Sequence, residues 1–176
     1  MLSIERTHAA VIACYASAAT LDALPAPPNA YACRVAPDEL WLIAPPELLA
    51  DTERCATEYC ARTEPLALVL DQSDGWTTFT FRGDEALSVL AQLSALPFPA
   101  TRPAWMQGAL AGGAAKILLL EGEVHVLVPV TLRHHVAARL RDVCGSLTSI
   151  PLSEIPLAGD ARMPASSIRA VPPAQG

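Results

Sequence analysis

The sequence predicts an α+β fold: an antiparallel sheet with helices packed on one face, assembled from ferredoxin-like split βαβ units. Three observations lead there. From Trp76 onward the pattern runs strand, helix, strand, strand, helix. The earlier hairpin, helix and strand echo the second half of that order, "DELWLIAPPELLA" matching "GEVHVLVPVTLRH" in pattern, which reads as a weak internal repeat. The 176 residues are 52% hydrophobic and 17% charged, below the ordinary share of about a quarter, so a real core sits under a poorly charged surface.

Charge and composition exclude whole classes of partner. The net charge is -6 with no Lys/Arg run, so nothing here can neutralise a row of phosphates, and nucleic acid is excluded. Large apolar patches seldom stay bare on a soluble monomer, so the low charge points to a protein partner. No stretch reaches the roughly 20 apolar residues that span a bilayer, and no membrane partner is expected. "HAAVIACYASAAT" is apolar enough to test as a signal peptide, but Glu5 beside Arg6 and the preference for Ala over Leu argue against one. Cys14, Cys33, Cys55, Cys60 and Cys144 form no CxxC pair and no zinc-like cluster with histidine. An odd count of five argues against a disulfide framework; the expectation is reduced core thiols in a cytoplasmic chain.

Each element has a local cause. Residues 1–30 read as an N-terminal segment and connector, because "LPAPPNA" can neither continue a helix nor join a central strand. "YACRV" and "LWLIA" flank Pro37-Asp38 as a hairpin. Pro45-Pro46 open a helix from Glu47 to about Arg62, with Leu48, Thr52, Cys55 and Tyr59 at helical spacing. Leu66–Leu70 reads as a buried strand, and Asp71 to Gly75 as a turn. In "WTTFTF", Trp76, Thr78 and Thr80 share one face while Phe79 and Phe81 face the core. Gly83 turns the chain and Asp84 caps a helix whose buried stripe is Ala86, Leu87, Leu90 and Leu93. After the proline-broken "PFPATRPAW" come strands at about Met106–Leu120 and Val124–Val130, joined at Gly122. A final helix from Thr131 to about Cys144 buries Leu132, Val136, Leu140 and Val143, keeps Arg133, Arg139 and Arg141 outside, and ends at Gly145. A closing strand near Leu147–Ile150 would complete the sheet. The α+β domain thus covers 31–150 in two half-units, about 31–72 and 73–150, and 151–176 is a Pro-rich tail.

No residue is nominated as catalytic, cofactor-binding or metal-ligating. Asp71 and Asp74 could pair as acid and base, but carboxylates before a strand more often form Asx turns or caps. His134 and His135 are adjacent, so on a helix they point about 100° apart and cannot share one metal. His125 alternates with apolar neighbours and is either a satisfied buried histidine or part of an exposed face. "GALAGGAAK" lacks the phosphate-loop pattern, since Lys116 is followed by Ile117, and its small residues instead permit close approach. Cys55 and Cys60 have no histidine partner nearby in sequence.

Certain of these segments carry a family resemblance. "LVLDQSDGWTTFTFRGDEALSVLAQLSALPF" and "WMQGALAGGAAKILLLEGEVHVLVPVTLRHHVAARLRDV" resemble the gamma subunit of heterotetrameric sarcosine oxidase, over about residues 66–145. The shared features are Asp71 with Ser73, Gly83-Asp84-x-Ala86 with Leu90, the Gly/Ala strand, and "VLVP" before the last helix. Ala109 or a neighbour stands where the family has threonine, which leaves room for a divergent relative such as a subunit of an N-methylglutamate dehydrogenase-like complex. The resemblance implies an aminomethyltransferase-like fold and a non-catalytic small subunit of a flavoenzyme that oxidatively demethylates an N-methyl amino acid. Its partners would be larger alpha and beta flavoprotein subunits carrying FAD, FMN, NAD and tetrahydrofolate, with no cofactor on this chain. The alternative is a stand-alone tetrahydrofolate-binding one-carbon transfer protein, with Asp71 or Asp74 positioning the pterin.

Overall fold

The computed structural model describes residues 2–147, which form two compact units, residues 8–74 and residues 2–7 with 75–147. Strand β1 (Ser3–Thr7) belongs to the unit completed by the later residues.

The unit at 8–74 runs β2 (Ala10–Tyr15), α1 (Ala18–Ala23), β3 (Tyr31–Ala36), β4 (Glu39–Ala44), α2 (Leu49–Thr63) and β5 (Leu68–Asp71). Its sheet has the order β3-β4-β2-β5, every neighbour antiparallel. β2 and β3 therefore run parallel with β4 between them, which is the split βαβ arrangement expected. Ile12, Cys14, Leu40 and Leu42 pack with Leu21 of α1 and with Ala56 and Cys60 of α2. Ser17 caps α1, its hydroxyl accepting from the Thr20 N–H, and Glu64 in turn accepts from the Ser17 N–H and hydroxyl.

Three expectations for this stretch are corrected. Residues 1–30 are more than a segment and connector, since they hold β1, β2 and α1, and β2 lies inside the sheet between β4 and β5. All of Ala10 to Cys14 is buried, so the strand shows none of the alternation that marks a half-exposed one. In α2 the buried stripe is Thr52, Ala56 and Cys60; Cys55 and Tyr59 are only half-buried. Leu66–Leu70 is not a buried strand: β5 begins at Leu68 on the sheet's edge, and Leu66, Leu68 and Leu70 are 96%, 51% and 40% exposed.

The other unit runs β6 (Trp76–Arg82), α3 (Ala86–Leu93), β7 (Ala104–Leu110), β8 (Gly113–Leu119), β9 (Glu123–Pro129) and α4 (Arg133–Leu147), with β1 added from the N-terminus. The antiparallel five-stranded sheet has the order β1-β6-β9-β8-β7. Without β7, the arrangement repeats that of 8–74, with β6, β8, β9 and β1 standing where β2, β3, β4 and β5 stand there. Phe79 and Phe81 do face the core, among Ile4, Val89, Leu90, Ile117, Leu119, Val126, Val136 and Leu140. The internal repeat is visible in detail, because β4 and β9 each start at a glutamate, meet a proline, and pass through one turn of 3-10 helix into a long helix.

The strand that closes this sheet is β1, not a segment after the last helix. Ser3 pairs with Arg82 and Thr7 with Thr78, while Leu2 and Ile4 enter the core. Leu147 is still within α4, and residues 148–150 and the tail at 151–176 lie outside the described residues. Gly145 likewise does not end the helix, which continues through it. The run Met106–Leu120 is two strands, folded back at Ala111 and Gly112 with φ of 51° and 82°. Two successive positive φ values suit the tight turn of a twisted hairpin. Asp84 does not cap α3: the cap position is Glu85, without a side-chain bond, and Asp84 is exposed. Ala86, Leu90 and Leu93 are buried as expected, with Val89 as a fourth, while Leu87 is half-buried.

Candidate functional site

The densest polar constellation lies on β1, β6 and β9, on the sheet face away from Phe79 and Phe81. Alternation along β6 sends Thr80 and Arg82 to that face, and alternation along β9 sends Glu123 and His125. Register then makes cross-strand pairs of Thr80 with His125 and Arg82 with Glu123. The outcome is one continuous chain of hydrogen bonds. Arg82 donates from its terminal nitrogen to Glu5 at 2.8 Å and from Nε to Glu123 at 3.0 Å. Glu123 also accepts from His125 Nε2 at 2.9 Å. His125 Nδ1 lies 3.0 Å from the Thr80 hydroxyl, itself 3.0 Å from that of Thr7.

A carboxylate only accepts, so it fixes the proton of a neutral His125 on Nε2 and leaves Nδ1 to accept from Thr80. Carboxylate, imidazole and hydroxyl in series resemble the parts of a nucleophilic triad. Burial decides against that use. Thr80 is 1% exposed and its oxygen is already shared between Thr7 and His125, so no substrate carbonyl can approach it. The His125 hydrogen bond, together with the charge and hydrogen bond of Arg82, holds the Glu123 carboxyl below its ordinary range against the opposing effect of burial.

The sequence candidates are dispersed. Asp71 forms an Asx turn, accepting from the Ser73 N–H at 2.9 Å, and the Ser73 hydroxyl accepts from the Val11 N–H at 3.0 Å. Asp71 and Asp74 are both exposed, and the segment is a turn that ties β5 to β2 rather than a reactive pair. His125 is the satisfied, buried histidine of the two readings left open. His134 accepts from Arg133, whereas His135 donates to the Ala111 carbonyl at 2.8 Å, so the adjacent histidines diverge. Lys116 donates to Gln107 and stands 5.9 Å from the Trp76 ring. The small residues around it do permit close approach, since a Cβ at Gly108 would meet Leu96 at 2.6 Å and one at Gly113 would meet Leu132 at 2.6 Å.

Four of the five thiols are placed where they are unreactive. Cys14, Cys33, Cys60 and Cys144 are buried, and burial pushes the Cys14 thiol up to about 12, reinforced by Cys60 and Cys55. Burial raises Cys33 as well. Such thiols stay protonated and inert near neutral pH. Among the described residues no group of three His, Cys, Asp or Glu side chains is placed to hold a metal ion. Thr80, Arg82, Glu123, Glu5 and Thr7 escaped the sequence reading, whose one clue was the alternation of threonines in β6.

The fold has solved counterparts. A chain of the heterotetrameric sarcosine oxidase from Corynebacterium sp. U-96 superposes with a TM-score of 0.66 at 17% identity, covering 86% of this chain and 88% of that one. The glycine cleavage system aminomethyltransferase T from Bartonella henselae gives 0.58 at 14% identity, over 80% of this chain and 45% of that chain. The regulatory subunit of aspartate kinase from Thermus thermophilus gives 0.51 at 13% identity, over 83% and 98%. These likenesses show an α+β fold of antiparallel sheets and helices, shared with an aminomethyltransferase and with an aspartate kinase regulatory subunit alike. No family model and no curated protein sequence matches the chain.

Proposed function

We propose that the chain is a non-catalytic small subunit of a sarcosine oxidase-like flavoenzyme that oxidatively demethylates an N-methyl amino acid. Its role is to pack against the large folate-domain subunit and support the assembly, within the cytoplasm. FAD, FMN, NAD and tetrahydrofolate belong to the partner alpha and beta subunits in this reading. The observation that carries it is the balance of coverage. The sarcosine oxidase chain is matched almost end to end on both sides, whereas this chain spans less than half of the aminomethyltransferase. A chain of this size thus has a counterpart inside a multi-subunit oxidase. The burial of Thr80 and His125 and the mutual satisfaction of Thr80, His125 and the half-buried Glu123 support a chain without a reactive centre. No helix among the described residues is long and apolar enough to cross a membrane.

The second reading, a stand-alone tetrahydrofolate-binding one-carbon protein, draws on the aminomethyltransferase likeness. Titrating tetrahydrofolate into the isolated chain separates the two. The subunit reading expects no saturable binding; tight binding to this chain alone would favour the alternative.

A further inference from the structure

We propose that β5 is a docking edge that receives an extended strand of a partner protein, apolar along one face and basic at both ends. Three independent features of the segment converge on it. The first is backbone. β5 ends the four-stranded sheet, and among the described residues no strand pairs with its outer side. Gln72 donates its N–H to Val11 of β2, so by the two-residue period Leu68 and Leu70 also turn their backbone groups toward β2, and Val69 and Asp71 turn theirs outward.

The second feature is side chains. Leu66, Leu68 and Leu70 recur every second residue and are the exposed large hydrophobics among the described residues. Edge strands that must stay unpaired are ordinarily guarded by lysine, proline or inward-pointing charge, and β5 itself carries only Asp71 at its far end. Proteins that add a strand to a sheet edge combine this backbone edge with alternate side-chain contacts.

The third feature, charge, selects the occupant. Within "EPLALVLDQSD", residues 64–74, Glu64 precedes the leucines and Asp71 and Asp74 follow them, with no lysine or arginine. A second copy is disfavoured, because two-fold antiparallel pairing about Val69 sets Glu64 of one copy opposite Asp74 of the other, in a chain already at -6. A strand with Lys or Arg at its ends matches both acidic flanks. The inference goes beyond the subunit reading, which names no docking surface, and it needs no flavin chemistry.

The test uses the full chain and two synthetic peptides that alternate valine and threonine, one ended by lysine pairs and its twin by glutamate pairs. Hydrogen exchange at the Val69 and Asp71 amides should slow with the lysine peptide, which should bind about tenfold or more tighter than the twin at low salt. The Leu68→Ser/Leu70→Ser variant, exposed enough to fold normally, should bind it about tenfold more weakly. Val69→Pro, which removes an outward donor and leaves the β2 side alone, should lose the peptide-induced exchange protection at the remaining outward amide, that of Asp71. Equal binding of both peptides, or of neither, overturns the inference. So does full protection of those amides before any peptide is added, which would mean that the chain's own residues 148–176 occupy the edge, or a dimer that Leu68→Ser/Leu70→Ser disperses. A chain that binds neither peptide yet co-purifies with flavoprotein subunits would refute the docking edge alone.

Discussion

Glu123 and His125, two positions apart on β9, are joined by a hydrogen bond of 2.9 Å, and their counterparts in the other unit, Glu39 and Trp41 on β4, are joined in the same way at 2.7 Å. In each case the glutamate also accepts from its cross-strand neighbour, Arg82 for Glu123 and the Tyr15 hydroxyl for Glu39. The same polar anchor thus recurs at the same strand start in both units. Recurrence in both halves suits a structural device more than a catalytic one.

That anchor makes stability depend on acid. The Glu123 carboxyl is held below its ordinary value, first by the His125 hydrogen bond. A depressed folded pKa adds stability that is present above the unfolded value of about 4.3 and is lost as pH falls through the folded one. Glu123→Gln should therefore destabilise by about 1–3 kcal/mol at neutral pH and show a flatter loss of stability below about pH 4.3 than the parent chain. Urea denaturation at a series of pH values measures both. Parallel acid profiles for variant and parent would show that Glu123 contributes nothing through ionisation.

Thr80 bridges two partners while Thr7 has one, which orders the cost of removing each hydroxyl. Thr80→Val strands a buried histidine nitrogen and should cost about 1–3 kcal/mol, more than Thr7→Val. Chemical denaturation of the two single variants and the double variant tests the ordering, and a double-mutant cycle should return a non-zero coupling.

The glycines under the helical side of β7 and β8 should not be equivalent. At Gly108 a new methyl meets three atoms of Leu96 within 3.1 Å, whereas at Gly113 only the tip of Leu132 is closer than 3.7 Å. A single side-chain tip can swing aside; three clustered atoms cannot do so as cheaply. Gly108→Ala should cost about 1–3 kcal/mol and Gly113→Ala less, with Leu132→Ala relieving only the second. Equal costs would mean that the strand backbone, and not these leucines, absorbs the change.

β1 closes the sheet across a long sequence separation, so its core residue is exposed to test. Ile4 is buried among Phe81, Val124 and other core residues, and Ile4→Ala should cost about 2–5 kcal/mol. A change of under about 1 kcal/mol would show that β1 is peripheral to the unit.

What the sequence disclosed follows from the range of the interactions concerned. Phe79 and Phe81 were legible because a strand exposed differently on its two faces alternates. β2 was not, because burial of Ala10 through Cys14 erases the period and leaves only an apolar run. β7 and β8 merged because the Ala111-Gly112 turn between them introduces no polar break. An apolar composition at Leu66–Leu70 cannot say whether a strand lies inside a sheet or at its edge, and only the pairing of β5 with β2 decides that. The role of β1 and the chain from Arg82 to Thr7 both depend on register between residues more than 40 positions apart, which no local pattern encodes. His125 was half-legible: its alternation marked a face, and its partners settled which reading held.

The most direct test is native purification of the chain from its own source, followed by mass spectrometry of the intact assembly and its flavin absorption spectrum. The account predicts a hetero-oligomer in which this chain accompanies larger flavin-bearing subunits. Recovery as a solitary, well-behaved monomer with no flavin and no companions would contradict it.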